Sequence, residues 1–266
     1  MGKAMRGRGL DAGRVGESVG LSAGDMGRIT SYDLIPDDET IRRLAEALSL
    51  DGAKLVRVAR GWVPEGGNDP FSTESLSVDR VVLSAGMEVN AYVLKCLQTG
   101  RGALVDAGGE PNKITALIQN VDVKITHILL THGHGDHVGA VGAIKAATGA
   151  SVYCSNADAS MLGQGQVDTL VHEGWATEVG SVSVRAQELP GHTAGGIGYL
   201  ANGLAYFSGD ALFAGSLGGA RGDAYTGQID KVRKKVLSQS PDTRIFPGHG
   251  PITTVAQEIE NNPCFI

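Results

Sequence analysis

His132-Gly133-His134-Gly135-Asp136-His137 closes the apolar run Ile125-Thr126-His127-Ile128-Leu129-Leu130 and packs three imidazoles and one carboxylate into six residues. An ordinary turn has no use for that density of ligating groups, whereas a metal does. His132 and His134 are two residues apart, so on extended backbone both face the same side and can share one ion. Gly133, Gly135 and Gly139 let the chain turn sharply, and the helix-like stretch from Val138 to Thr148 begins there. Asp136 and His137 therefore aim at a second position nearby. One loop offers ligands to two metals.

A centre of that kind needs further ligands, and the rest of the chain holds them in similar settings. Pro190-Gly191-His192-Thr193, Ser208-Gly209-Asp210 and Pro247-Gly248-His249-Gly250-Pro251 each place one ligand-type residue in a glycine-bearing turn just after a strand-like run. Those runs are Val182-Ser183-Val184-Arg185-Ala186, Ala205-Tyr206-Phe207 and Arg244-Ile245-Phe246. Five of the seven histidines thus lie in glycine-flanked turns at strand ends, where layered α/β folds collect functional groups. His127, inside an apolar strand, and His172, beside Glu173, fit no ligand position and are expected to be structural or solvated.

The order His-x-His-x-Asp-His, then His, Asp and His, resembles the metallo-β-lactamase superfamily of metal-dependent hydrolases over roughly residues 75 to 263. The resemblance implies that His132, His134 and His192 hold one metal, that Asp136, His137 and His249 hold the other, and that Asp210 bridges them, with a shared water or hydroxide completing the coordination. It implies two divalent ions, zinc first, although His and Asp ligands also accept iron or manganese. It further implies a four-layer αββα sandwich with the metals at one edge between two sheets; periodicity alone gives a mixed α/β domain. Asp106 matches a family position near the metals, where an outer carboxylate orients a ligating histidine, a loop cap being the alternative.

Composition narrows the function. Hydrophobic content of 42% and charged content of 20% describe an ordinary soluble protein, and no apolar stretch approaches a membrane span. Met1 to Arg8 carries basic residues without an apolar segment after them, so no secretion signal is expected, and Arg6 breaks the myristoylation pattern. Cys96, Cys154 and Cys264 are odd in number and widely spaced, which suits a reducing cytoplasm. Residues 1 to 65 contain ten Lys/Arg and ten Asp/Glu, so the net charge of −6 sits entirely in the remainder. An acidic catalytic unit matches a small-molecule substrate better than a nucleic acid.

Residues 1–65 read as a small all-helical domain, 66–77 as a linker and 78–266 as the catalytic domain. Asp37-Asp38 caps a helix with Ile41, Leu44, Ala45 and Leu48 on one face, and Asp51 caps another carrying Leu55, Val56 and Ala59. Asp11 to Val19, a turn at Gly20, and Ala23 to Ile29 are similar to the helix-turn-helix of repressor-type DNA-binding domains. Eight glycines in the first 27 residues weaken those helices, and the recognition position offers little beyond Asp25 and Arg28. A dimerisation or active-site-covering role, giving a homo-oligomer in the first case, competes with DNA binding.

Within the superfamily the likeness is to glyoxalase II-type hydroxyacylglutathione hydrolases, carried by Asp210-Ala211-Leu212-Phe213-Ala214-Gly215-Ser216, by Phe246 to Thr254 and by the ending Glu258 to Cys264. It implies hydrolysis of a small-molecule thioester or ester by a metal-bridged hydroxide, with Asp136 also able to accept a proton. The stretch after Asp210 is too short for the C-terminal helical domain that grips glutathione in full-length enzymes. Its place falls to the N-terminal helices or a second subunit, or the substrate differs. Arg221 and Tyr225 are the candidate substrate contacts. A mononuclear-iron persulfide dioxygenase, a lactonase and a DNA-binding regulator with a ligand-sensing hydrolase-like domain are the alternatives.

Overall fold

Alternation of apolar side chains decides which face each strand buries. The computed structural model describes residues 1–84 and 86–266. Its first sheet has seven strands in chain order: β1 (Phe71–Ser72), β2 (Leu76–Ser84), β3 (Glu88–Cys96), β4 (Arg101–Val105), β5 (Lys124–Leu129), β6 (Ser151–Ser155) and β7 (Thr169–Val171). The early pairs are antiparallel and those from β4 onward parallel. Along β3, Ala91 and Val93 face one way and Tyr92 and Leu94 the other, the period of two that a strand buried on both faces requires. The linker expected at 66–77 contains β1 and the start of β2, because Leu76 is fully buried and pairs with Cys96.

The second sheet holds β8 (Ala176–Val179), β9 (Val182–Glu188), β10 (Ile197–Ala201), β11 (Ala205–Gly209), β14 (Arg244–Pro247) and β15 (Thr253–Thr254), with the small hairpin β12 (Leu212–Phe213) and β13 (Ser216–Leu217) beside it. Tyr92, Leu94, Val105 and Leu129 of the first sheet meet Val184, Tyr199, Phe207 and Phe246 of the second in one core. Outside the first sheet lie α6 (Pro111–Asn120) and α8 (Val141–Thr148), packed through Ile114, Val141 and Ile144. Outside the second lie α10 (Asp223–Lys235) and α11 (Val255–Asn261). These are the four layers expected from the resemblance.

Five short helices precede the sheets: α1 (Gly2–Arg8), α2 (Ala12–Ser18), α3 (Ala23–Thr30), α4 (Asp38–Ala47) and α5 (Gly52–Ala59). The side chains of Asp11, Ser22, Asp37 and Asp51 each accept a backbone N–H of the first turn that follows. Such a cap is worth about 1 kcal/mol. Two of the glycines that weaken these helices are close-contact points: a Cβ on Gly7 would overlap the Tyr225 ring, and one on Gly16 the Met26 side chain. The helices share an apolar core with the outer face of the second sheet, where Met5, Leu44, Leu48 and Leu55 join Tyr206, Ile245, Val232 and Val255. On α3, Arg28 is exposed and Asp25 half-buried, with their charged groups 3.9 Å apart. Among the described residues, no helix is long and apolar enough to cross a membrane.

Candidate metal centre

The apolar strand β5 delivers the His-rich loop to the end of the first sheet, and glycine lets two backbones meet there. A Cβ on Gly108 would overlap the carbonyl oxygen of Asp136, and one on Gly139 that of Gly108. The segment after β4 is thus laced to the loop, with Ala107 N–H donating to His137 O and Ala140 N–H to Ala107 O, each at 2.8 Å. The helix expected from Val138 to Thr148 begins three residues later as α8, and a separate single turn, α7 (Gly135–Val138), precedes it. His192 arrives from the turn before β10, Asp210 from the end of β11 and His249 from the end of β14.

Three nitrogens converge at the first position. His134 Nδ1 lies 3.1 Å from His132 Nε2 and 3.0 Å from His192 Nε2. One proton cannot satisfy three mutually facing nitrogens. Three imidazoles held by one tetrahedral ion at about 2.0–2.1 Å would have nitrogens roughly 3.3 Å apart, close to this spacing. At the second position Asp136 Oδ2 lies 3.5 Å from His249 Nε2 and 3.9 Å from His137 Nε2. Asp210 stands between the two, with Oδ1 3.3 Å from His137 Nε2 and Oδ2 3.3 Å from His192 Nε2 and 3.4 Å from His249 Nε2. Each triad can hold a metal ion.

The far side of each ring fixes which nitrogen faces inward. His192 Nδ1–H donates to Gly219 O at 2.9 Å, His249 Nδ1–H to Glu88 O, and His137 Nδ1–H to Asp106 Oδ2 at 2.8 Å. Asp106 is itself clamped, accepting Thr131 N–H on Oδ1 and Thr131 Oγ1–H on Oδ2, both at 2.8 Å. These bonds orient the Nε2 lone pairs of His137, His192 and His249 toward the centre. Two fully buried polar atoms there, His137 Nε2 and Asp210 Oδ1, have no hydrogen-bond partner. Buried polar atoms are rarely left so, and a cation between them would satisfy both.

Electrostatics follow from burial and from these neighbours. Burial drives the His132 pKa down to about 2, with His137 adding repulsion. Burial also works against charge on His137, but Asp106 and Asp210 outweigh it and push that group up to about 10. Asp210 is held far below the usual carboxylate range because His137 and His249 more than offset its burial. Without an ion the site therefore keeps its carboxylates balanced by a protonated imidazole.

The Metallo-beta-lactamase superfamily model matches residues 85–249. The chain belongs to the metallo-β-lactamase superfamily. It is 34% identical over 182 residues, 60% of this chain and 85% of the relative, to the hydroxyacylglutathione hydrolase GloC of Haemophilus influenzae. Among solved structures it is similar to the BLEG-1 B3 metallo-β-lactamase, with a TM-score of 0.62 and 27% identity over 70% of this chain and 98% of that one. TTHA1623 in a di-iron-bound form is 33% identical with a TM-score of 0.58, covering 70% of this chain and 98% of that one. The matched stretch of the family model holds β3 to β14, while the helices before residue 60, β1, β2 and β15 stand outside it.

An open cleft of about 630 Å³ lies over the centre, with Lys3, Met87, Glu88, Phe213 and Gly219 around His134, Asp136, His192, Asp210 and His249. Arg221 and Tyr225 do not line it. Arg221 is exposed ahead of α10, and the first turn of that helix carries Tyr225 inward, fully buried beneath α1. Two residues carried no sequence signal: Thr131, which locks Asp106, and Lys3, whose helix lies in a glycine-rich stretch without apolar periodicity.

Proposed function

We propose that the chain is a metal-dependent hydrolase that cleaves a thioester or ester of a small molecule, of the hydroxyacylglutathione type. The observation that carries this is the pair of ligand triads with Asp210 between them, open to a cleft large enough for a small substrate. The metal ligands in this reading are His132, His134 and His192 for one ion and Asp136, His137 and His249 for the other. The GloC relative adds the substrate class, and TTHA1623 shows that such a scaffold takes two irons, so zinc is the first expectation and iron the second.

Two bound divalent ions would supply an activated water and a polarised carbonyl. The chain's residues do the rest. Asp106 and Thr131 hold His137 in the tautomer whose Nε2 is free to ligate. Asp136, half-buried at the floor of the cleft, is placed to take the proton that water gives up. Water oxygen adds to the acyl carbon, the carbon–sulfur or carbon–oxygen bond breaks, and the thiol or alcohol leaves with that proton.

The test pairs metal content with a panel of thioester, lactone and glutathione persulfide substrates, for the wild type and for Asp210→Ala. Two metals per chain, thioester turnover and loss of both in the variant are expected. One iron per chain with oxygen consumption on the persulfide would favour the dioxygenase reading instead. Retention of metal and turnover in Asp210→Ala would sink the proposal.

A further inference from the structure

Helix α1 brings a cation to the centre from the far end of the chain. Ala4 and Met5 are buried in the core shared with α10, and Gly222 N–H donates to Gly7 O at 2.7 Å, which fixes the helix against the loop ahead of α10. Lys3 is left on the cleft side, lining the same cavity as His134, Asp136, His192, Asp210 and His249. Its Nζ sits 4.2 Å from the centroid of the Phe213 ring, and that ring stands edge-on to His249 at 5.6 Å. Phe213 is therefore a shelf that holds the ammonium within reach of the centre. Among the described residues no carboxylate lies within ion-pair distance of Nζ. Partial burial lowers the lysine's pKa, with the field of Asp210 opposing that shift.

A charge so placed has two uses. It can offset Asp136 and Asp210 while the centre is empty, but two divalent ions more than neutralise those carboxylates, and the ammonium is then left over. We propose that Lys3 is a positioning residue for substrate, taking an anionic group, a carboxylate, on the leaving-group arm of the thioester. This rests on the hydrolase reading for the reaction and goes beyond it in naming the substrate's charge and the element that reads it. The N-terminal helix then completes the substrate site that the two sheets alone leave open.

The experiment uses two thioesters with the same phenylacetyl group, one of 3-mercaptopropionate and one of its N-methylamide, and the two corresponding thioethers as uncleavable ligands. Proteins are the full chain and its Lys3→Met and Lys3→Arg variants, loaded with zinc. In Lys3→Met, KM for the carboxylate thioester rises about tenfold, as expected for loss of one charge-assisted contact, while kcat and metal content hold. KM for the amide stays within about twofold, the margin of a lost surface contact. Calorimetry shows the same split for the thioethers, and Lys3→Arg restores most of it. An equal loss on both ligands, or no change on either, overturns the proposal. If wild-type protein cleaves neither thioester, the hydrolase reading fails, while the thioether titrations still decide the role of Lys3.

Discussion

Replacing Asp106 by Asn takes one hydrogen-bond acceptor from beneath His137 and leaves the backbone as it was. Asp106 has a φ of 60°, in the left-handed region, and Asn tolerates that region as well as Asp does. Its carboxylate accepts three hydrogens, from Thr131 N, Thr131 Oγ1 and His137 Nδ1, all at 2.8 Å. An amide can accept on one oxygen only. If that oxygen turns to Thr131 N–H, the NH2 faces His137, whose proton must move to Nε2 and block the ligating lone pair. If it turns to His137, a buried Thr131 N–H faces a donor. Either arrangement costs about 1–3 kcal/mol. That corresponds to roughly 10–100-fold in metal affinity, the range found when the outer partner of a ligating histidine is removed. On the proposed ligand assignment, the loss should fall on the metal position formed by Asp136, His137 and His249. Competition of zinc between the protein and a chromogenic chelator reads it, with one of two binding steps weakened in Asp106→Asn. Unchanged affinity at both steps would refute the view that Asp106 sets the tautomer of His137.

Metal uptake should be linked to pH. His137 is charged in the empty site, near pKa 10, and ligation needs its neutral form, so each metal bound there at pH 7 expels a proton. Affinity should fall as pH falls, by up to about tenfold per unit per proton, and a pH-independent titration between 6 and 8 would contradict this. Glu258 is fully buried, its pKa raised to about 7 by burial despite hydrogen bonds from Asn262, Thr253 and the Gly215 N–H. Because the folded state favours its protonated form, its stabilising contribution is present below about pH 4.3, the unfolded value, and lost as pH rises through about 7, a change of about 4 kcal/mol. The melting temperature of Glu258→Gln relative to wild type should therefore climb across that window; parallel pH profiles would count against it. Gly7→Ala drives a methyl into the Tyr225 ring, an overpacking worth about 1–3 kcal/mol against a helix-propensity gain of about 1. Faster proteolysis within residues 1–10 at unchanged metal content is expected, and equal protection would show that α1 does not depend on this contact.

Much of this was legible in the chain. The apolar run of β5 and the cap residues Asp37 and Asp51 set local structure through forces that act within a few residues, so these elements were legible in the sequence alone. The His-x-His-x-Asp-His loop announced a metal for the same reason: its ligands are neighbours in sequence, and glycine supplies the turn. What remained hidden depends on separations of tens to hundreds of residues. Thr131 looks like any strand-end threonine until Asp106 closes on it from another strand. Tyr225 reads as a loop contact to substrate until the first turn of α10 swings it under α1. Lys3 has no local pattern at all, since α1 is held by packing against Tyr225 and the Gly222 N–H rather than by its own glycine-rich sequence. The sequence by itself determined that the ligand-type residues sit in glycine-bearing turns at strand ends and that the domain is mixed α/β. Only the tertiary structure decided which nitrogen of each histidine faces the centre and which cation overlooks the cleft, because hydrogen bonds and charge act through space, and folding is what brings distant parts of the chain within their reach.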